Sequence, residues 1–258
     1  MPDKRLTHIK KTSVGYSNLD FQGKLKIVSI LNFLQDAASE HASEMGVSGF
    51  DLARKNLAWV IVRYQIEIKN SPVWREDIQI ETWRTPLKNL YELRQFRMTG
   101  SNALEILTAR AWWVMIKKKN NRPVRLSTYM PHRFLNDQTP EDAPQPKALK
   151  LPEHADLDLP FKVRMHDLDL NGHVNNAIYL EWAVETVPQE ILLSHRPENL
   201  EVIFQRESLY RDKILSRTEI VHLGGQLITY HLIMEAHTGT ERARINIQWR
   251  AKEPRGKR

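Results

Sequence analysis

The chain repeats itself, and this repeat limits its possible folds more than any other feature. Leu19-Asp20-Phe21-Gln22-Gly23-Lys24-Leu25 is echoed by Leu168-Asp169-Leu170-Asn171-Gly172-His173-Val174. A helical pattern follows each heptad. After the first, Ile27, Ile30, Leu31, Leu34, Ala38, His41 and Met45 recur at three- and four-residue spacing, and Gly46 is placed to end the helix. After the second, Ile178, Tyr179, Trp182 and Ala183 form a similar stripe that Pro188 limits. The echo continues in order: Val62 to Glu67 parallels Val202 to Glu207, and Trp74-Arg75 parallels Tyr210-Arg211. The chain therefore reads as two tandem copies of one domain, offset by roughly 140–150 residues.

Each copy places a helix before a series of strands. In the first, 57–69, 77–84, 91–98 and 106–117 read as strands, with Thr99-Gly100-Ser101-Asn102 as a hairpin turn. In the second, 201–210, 214–223, 227–237 and 242–251 do so, with turns at Gly224-Gly225 and Thr238-Gly239-Thr240. This is an α+β class. The expected architecture is a tandem double hot-dog, each copy a long central helix wrapped by a curved antiparallel sheet. The expected boundaries are a first domain at 1–130, a proline-rich linker at 131–160, a second domain at 161–251 and a basic tail at 252–258.

At 258 residues the chain can hold two domains of about 100–150 residues each. It has no cysteine, which excludes disulfides, thiolate metal sites and a cysteine nucleophile within it. Its other histidines show no metal-ligand spacing and read as structural, with His132 in the linker, so neither a metal nor a cofactor is expected. The N-terminal residues lack an apolar secretory core, and no apolar run reaches the roughly 18 residues of a membrane span. A cytoplasmic protein is the expectation. A net charge of +7 favours an acidic partner, and nucleic acid is tested against that reading by the absence of any recognisable binding motif.

The densest polar cluster is Asp167 to Asn176, immediately before the second helix. In an extended segment Asp169, Asn171 and His173 would share one face. Gly172 opens backbone geometry closed to other residues, and Asn175 or Asn176 is an expected N-cap. The helix start would offer amides and a positive dipole end to an oxyanion. In the first copy the corresponding residues are Asp20, Gln22 and Lys24. The acidic residue and the turn persist, whereas the Asn/His pair does not, which suits one working site per chain. Glu207, placed by sequence in a strand, is a candidate base, with Glu67 as its first-copy counterpart.

The stretch Asp167 to Asn176 with Tyr179 and Trp182 resembles the signature of plant and bacterial acyl-carrier-protein thioesterases, and Leu57 to Tyr64, Trp83 to Thr85 and Ile106 to Met115 also look like that family. The resemblance implies a double hot-dog that hydrolyses acyl-carrier thioesters, with Asp169, Asn171, His173 and Glu207 as catalytic residues. Under that reading the amides of Gly172 and Val174 stabilise the oxyanion, and either Glu207 or His173 is the base on water. The first domain becomes a worn pseudo-site and acyl-chain pocket. Plant members often carry Cys after the Glu; Ser208 stands here, which favours water as the nucleophile. The expected partner is an acidic acyl carrier protein. The chain would be a monomer with an internal pseudo-dimer, or a homodimer. An acyl-CoA thioesterase and a non-catalytic hot-dog module binding acyl chains or protein are the alternatives.

Overall fold

The computed structural model describes residues 7–87, 90–131 and 147–252. His132, half of the expected linker and nearly all of the basic tail lie outside the described residues. The chain divides into two compact units between Lys147 and Ala148.

The first unit contains β1 (Thr7–Ser13), α1 (Ile27–Glu44), α2 (Gly49–Ala53), β2 (Leu57–Ile68), β3 (Asp77–Leu87), β4 (Tyr91–Thr99), β5 (Glu105–Lys117) and the short β6 (Arg122–Pro123). Its strands are antiparallel in the order β1-β3-β4-β5-β2, with β6 folded back on β5. Of the helix stripe, Ile30, Leu31, Leu34, Ala38, His41 and Met45 are buried and Ile27 is half-buried, and Ala37 and Ala42 join the buried face. The helix packs on β1 and β3. Its end is fixed by Gly46, whose φ of +71° is the left-handed geometry that glycine adopts without steric cost. Burying a Leu such as Leu34 contributes about 1.5–3 kcal/mol, so this face carries much of the helix's stability.

The second unit contains β7 (Leu157–Lys162), α3 (Asn176–Glu185), α4 (Gln189–Ser194), β8 (His195–Phe204), β9 (Lys213–Leu223), β10 (Gln226–Glu235) and β11 (Glu241–Ala251). The order β7-β9-β10-β11-β8 repeats that of the first unit strand for strand. Helix α3 lies on β9, β10 and β11. At 10 residues it is not the long helix expected, because Pro188 interrupts it and begins α4.

Three sequence expectations change. The sequence pattern marks neither β1 nor β7, and β7 starts inside the expected linker, so the boundary at 161 falls within a strand. Strand β8 runs from 195 to 204 rather than from 201 to 210. It stops there because the amides of Gln205 and Arg206 both turn onto the Arg242 carbonyl and the chain leaves the ladder. Glu207 therefore sits in a loop, not in a strand.

Both units bury polar groups at one shared sheet position, Thr82 paired with Phe96 in the first and Thr218 paired with His231 in the second. In the first unit the group is ionic. Glu92 bridges Arg84 and Arg94, and Arg94 also donates to His41 Nδ1 at 2.9 Å. Arginine only donates, so His41 Nδ1 is the acceptor and its ring is neutral. In the second unit the group is neutral. Trp249 donates to Thr229 Oγ1 at 2.9 Å, and Thr229 meets His231 Nε2 at 2.8 Å. His231 Nδ1 meets Thr218 at 2.7 Å, Thr218 contacts Thr186, and Thr186 donates to the Ala183 carbonyl at 2.6 Å. One direction of donation, from Trp249 towards Ala183, satisfies every hydroxyl in this chain if His231 carries its proton on Nδ1.

Burial pushes the His231 imidazole down to about 3. Below its ordinary value of 6.5 the unfolded chain takes up a proton that the folded chain refuses. The contribution is thus fully present above pH 6.5 and is lost as the pH falls towards 3, by about 1.4 kcal/mol per pH unit. Denaturant titrations at pH 7 and pH 5 should show the wild type losing stability faster than His231→Gln. Parallel losses would contradict the assignment.

Candidate active site

The loop before α3 is built by one carboxylate. Asp169 Oδ1 accepts from the amides of Asn171 at 2.7 Å and His173 at 3.3 Å. The Asp169 amide donates to the His173 carbonyl at 2.7 Å, and the Gly172 amide donates back to the Asp169 carbonyl at 3.0 Å. Leu168 and Val174 form an isolated bridge that closes the base of the turn. Gly172 has φ +77°, which the turn requires. The segment is therefore a tight turn and not an extended run, and the alternate-residue argument for a shared face does not hold. Asp169 organises the backbone that presents Asn171 and His173.

The first unit builds the same turn. Asp20 Oδ1 accepts from the amides of Gln22 and Lys24, both at 2.8 Å, Leu19 bridges Leu25, and Gly23 has φ +72°. Asp169 and Asp20 thus build the same turn in both copies. Only the presented side chains differ.

His173 Nδ1 stands 3.4 Å from Glu207 Oε2, both groups being partly exposed. The distance is longer than a good hydrogen bond, and such contacts commonly tighten when substrate is bound. The Val174 amide donates to the Ser208 carbonyl at 3.0 Å, which ties the two loops together beside this pair. Ser208 is buried, and the Tyr179 hydroxyl, pushed up by burial, stands against it.

Two site assignments are corrected by these bonds. The Gly172 and Val174 amides already donate within the chain, and an amide has one hydrogen, so neither is available to an oxyanion. What remains at this position is the positive end of α3, where Asn175 Oδ1 accepts from the Ala177 amide at 2.9 Å.

The match of Glu67 to Glu207 is corrected as well. In the second unit the Leu209 amide donates to Asp212 Oδ2 at 2.9 Å and the Arg211 amide to the Val163 carbonyl at 3.2 Å. In the first, the Val73 amide donates to Glu76 Oε2 at 3.0 Å and the Arg75 amide to the Val14 carbonyl at 2.9 Å. Val73 thus matches Leu209, and two residues earlier Ser71 matches Glu207. Glu67 lies within β2 opposite Thr108. The first unit lacks all three groups, having Gln22, Lys24 and Ser71 in place of Asn171, His173 and Glu207.

Sequence reasoning missed Arg242 on β11. Its Nη1 donates to the Glu207 carbonyl at 2.8 Å, and Nη2 lies 3.6 Å from Asp212 Oδ2. It holds the Glu207 loop at two points. Nothing local marks it, because both partners are distant in sequence. Removing a positioning contact can misplace a reacting group by an ångström and cost up to about 100-fold. Arg242→Ala should lower kcat by about 10- to 100-fold, with Arg242→Lys recovering part of the rate in steady-state assays. An unaltered kcat would show that the loop holds itself.

Sequence models of the acyl-ACP thioesterase N-terminal and C-terminal domains match residues 5–131 and 151–251. The chain belongs to the acyl-ACP thioesterase family. It is 28% identical over 242 residues to a chloroplastic dodecanoyl-[acyl-carrier-protein] hydrolase of Cinnamomum camphora, an alignment covering 88% of this chain and 63% of that protein. It is 31% identical over 249 residues to a chloroplastic palmitoyl-acyl carrier protein thioesterase of Gossypium hirsutum, covering 88% and 59% respectively. The chain thus spans about three fifths of the length of these curated relatives. The 12:0-ACP thioesterase structure from Umbellularia californica superposes with a TM-score of 0.83 at 23% identity, covering 96% of this chain and 95% of that one. That likeness establishes the fold, the double hot-dog of this thioesterase family. No helix among the described residues is long and apolar enough to cross a membrane.

Proposed function

We propose that the chain hydrolyses the thioester of a fatty acyl-acyl-carrier-protein, releasing free fatty acid and the carrier thiol. The observation that carries this reading is the His173–Glu207 pair at 3.4 Å, set beside Asn171 in the second unit and replaced in the first. Glu207 faces Nδ1, which leaves Nε2 of a neutral His173 as the proton acceptor, so the pair supports His173 as base and Glu207 as its orienting group. Water attacks the thioester carbonyl carbon as His173 Nε2 takes its proton. The oxyanion is met by the positive end of α3. The C–S bond then breaks, and the proton on His173 passes to the leaving thiolate. Asp169 and Arg242 hold the two loops in register. The cytoplasmic setting expected from the sequence belongs to the same proposal.

The test is release of free thiol from matched acyl-carrier-protein and acyl-CoA substrates by the purified chain. Faster turnover of the carrier form supports the proposal. Turnover of acyl-CoA alone moves the chain to a different thioesterase activity, and turnover of neither leaves a binding module.

A further inference from the structure

Behind Glu207 lies a buried polar pair, Ser208 and Tyr179. The Tyr179 hydroxyl, carried on α3, stands against both the hydroxyl and the backbone of Ser208. Ser208 Oγ closes no full hydrogen bond among the described residues, and contacts around a reacting group commonly tighten only when substrate is bound. The Tyr179 ring is anchored separately, edge-on to Phe204 at 5.7 Å and to Trp182 at 5.3 Å. Phe204 is the last residue of β8, and Ser208 lies just beyond Glu207. One side chain therefore touches both ends of the segment that carries Glu207, with its ring at the start and its hydroxyl at the end.

The first unit shows that the fold does not require these groups. There the amides of Lys69 and Asn70 both donate to the Ile106 carbonyl, as those of Gln205 and Arg206 do to the Arg242 carbonyl. Ile106 thus takes the place of Arg242, and Pro72 that of Ser208. The matching turns, followed by α1 and α3 at the same spacing, put Ile30 in the place of Tyr179. Ile30, Pro72 and Ile106 are all buried. An apolar set fills this position in the unit without a reacting pair, and a polar set fills it in the unit that has one. Buried polar groups cost stability unless fully paired, so packing alone favours the apolar set. The polar set answers to another demand.

That demand is the direction of Glu207. Arg242 holds the Glu207 carbonyl at 2.8 Å, and the Val174 amide holds the Ser208 carbonyl at 3.0 Å. Tyr179 adds a hold on Ser208 itself, from the helix that begins just after His173. We propose that Tyr179 is a positioning residue, whose hydroxyl acts through Ser208 to fix the loop that aims Glu207 at His173 Nδ1. Its kinetic consequence rests on the thioesterase reading; its geometric consequence does not.

Tyr179→Phe keeps the ring contacts and removes only the hydroxyl. On an acyl-carrier thioester it should lower kcat by about 10- to 100-fold with KM within about twofold. In a Glu207→Gln background the same substitution should cost less than about twofold, because a residue that acts through Glu207 then has nothing left to aim. Ser208→Ala, which removes the other hydroxyl, should show the same dependence on background. A merely structural role would lower the rate equally in both backgrounds; that result, or an unaltered kcat, overturns the proposal. The ring-nitrogen NMR resonances of His173 read the pair without substrate, and Tyr179→Phe should move them in the same direction as Glu207→Gln. Unmoved resonances overturn the proposal whatever the activity. If no thioester is hydrolysed but the resonances move together, the positioning role stands and the thioesterase reading fails.

Discussion

Glu207→Gln is expected to lower kcat/KM on an acyl-carrier thioester by about 100- to 10,000-fold while leaving the fold intact. The carboxylate is partly exposed and, among the described residues, its side chain makes one ion-pair contact, to His173 Nδ1 at 3.4 Å, so its removal should cost little stability. Gln keeps the volume and can donate where Glu only accepts. That reverses the demand on the imidazole, favouring the tautomer with its proton on Nε2, the nitrogen that must accept from water. The loss should therefore fall mainly on kcat. A near-normal rate in this variant would remove Glu207 from both the base and the orienting role.

The largest effect on stability is expected at Glu92, far in sequence from the reacting groups. Burial disfavours ionising this carboxyl, yet the guanidinium groups of Arg84 and Arg94 outweigh the penalty and hold it below its ordinary range. All three residues are buried, and neither arginine can shed its charge. Glu92→Leu would leave two like charges facing one another in the interior of the first unit, which costs about 3–5 kcal/mol. The unfolding midpoint should drop accordingly in a denaturant titration. Replacing Arg84, Glu92 and Arg94 together by apolar residues of similar volume should recover most of that loss, because the desolvation cost disappears with the charges. A small loss in the single variant would mean that water reaches the cluster in solution.

Much of this architecture is legible in the sequence because its decisive interactions are local. The turn at Asp169 and its copy at Asp20 are made by bonds spanning at most four residues, so the heptad itself encodes them. Helix α1 is announced by its apolar spacing, and most strands by their alternation. The errors have a common origin in contacts between distant segments. The amide of Val174 is occupied by a carbonyl from the 205–212 loop, which no local pattern discloses. The sequences around Val62 and Val202 are alike, but the two strands end at Ile68 and Phe204, where the next two amides turn onto the Ile106 and Arg242 carbonyls, so the likeness is out of register and Glu207 falls in the loop beyond. Strands β1 and β7 lie at the outer end of their units' strand order and carry Lys, Asp or Pro where a central strand would carry apolar residues, so composition read them as loop.

The central claim is that chemistry happens once per chain, at the turn in the second unit and not at its copy in the first. The direct measurement is thiol release from one acyl-carrier substrate by His173→Ala and by Lys24→Ala, the residues presented at matching positions of the two turns. The account predicts a loss of about 100-fold or more for His173→Ala and a rate within about twofold of wild type for Lys24→Ala. Equal losses in the two variants, or a His173→Ala enzyme that keeps its rate, would contradict it.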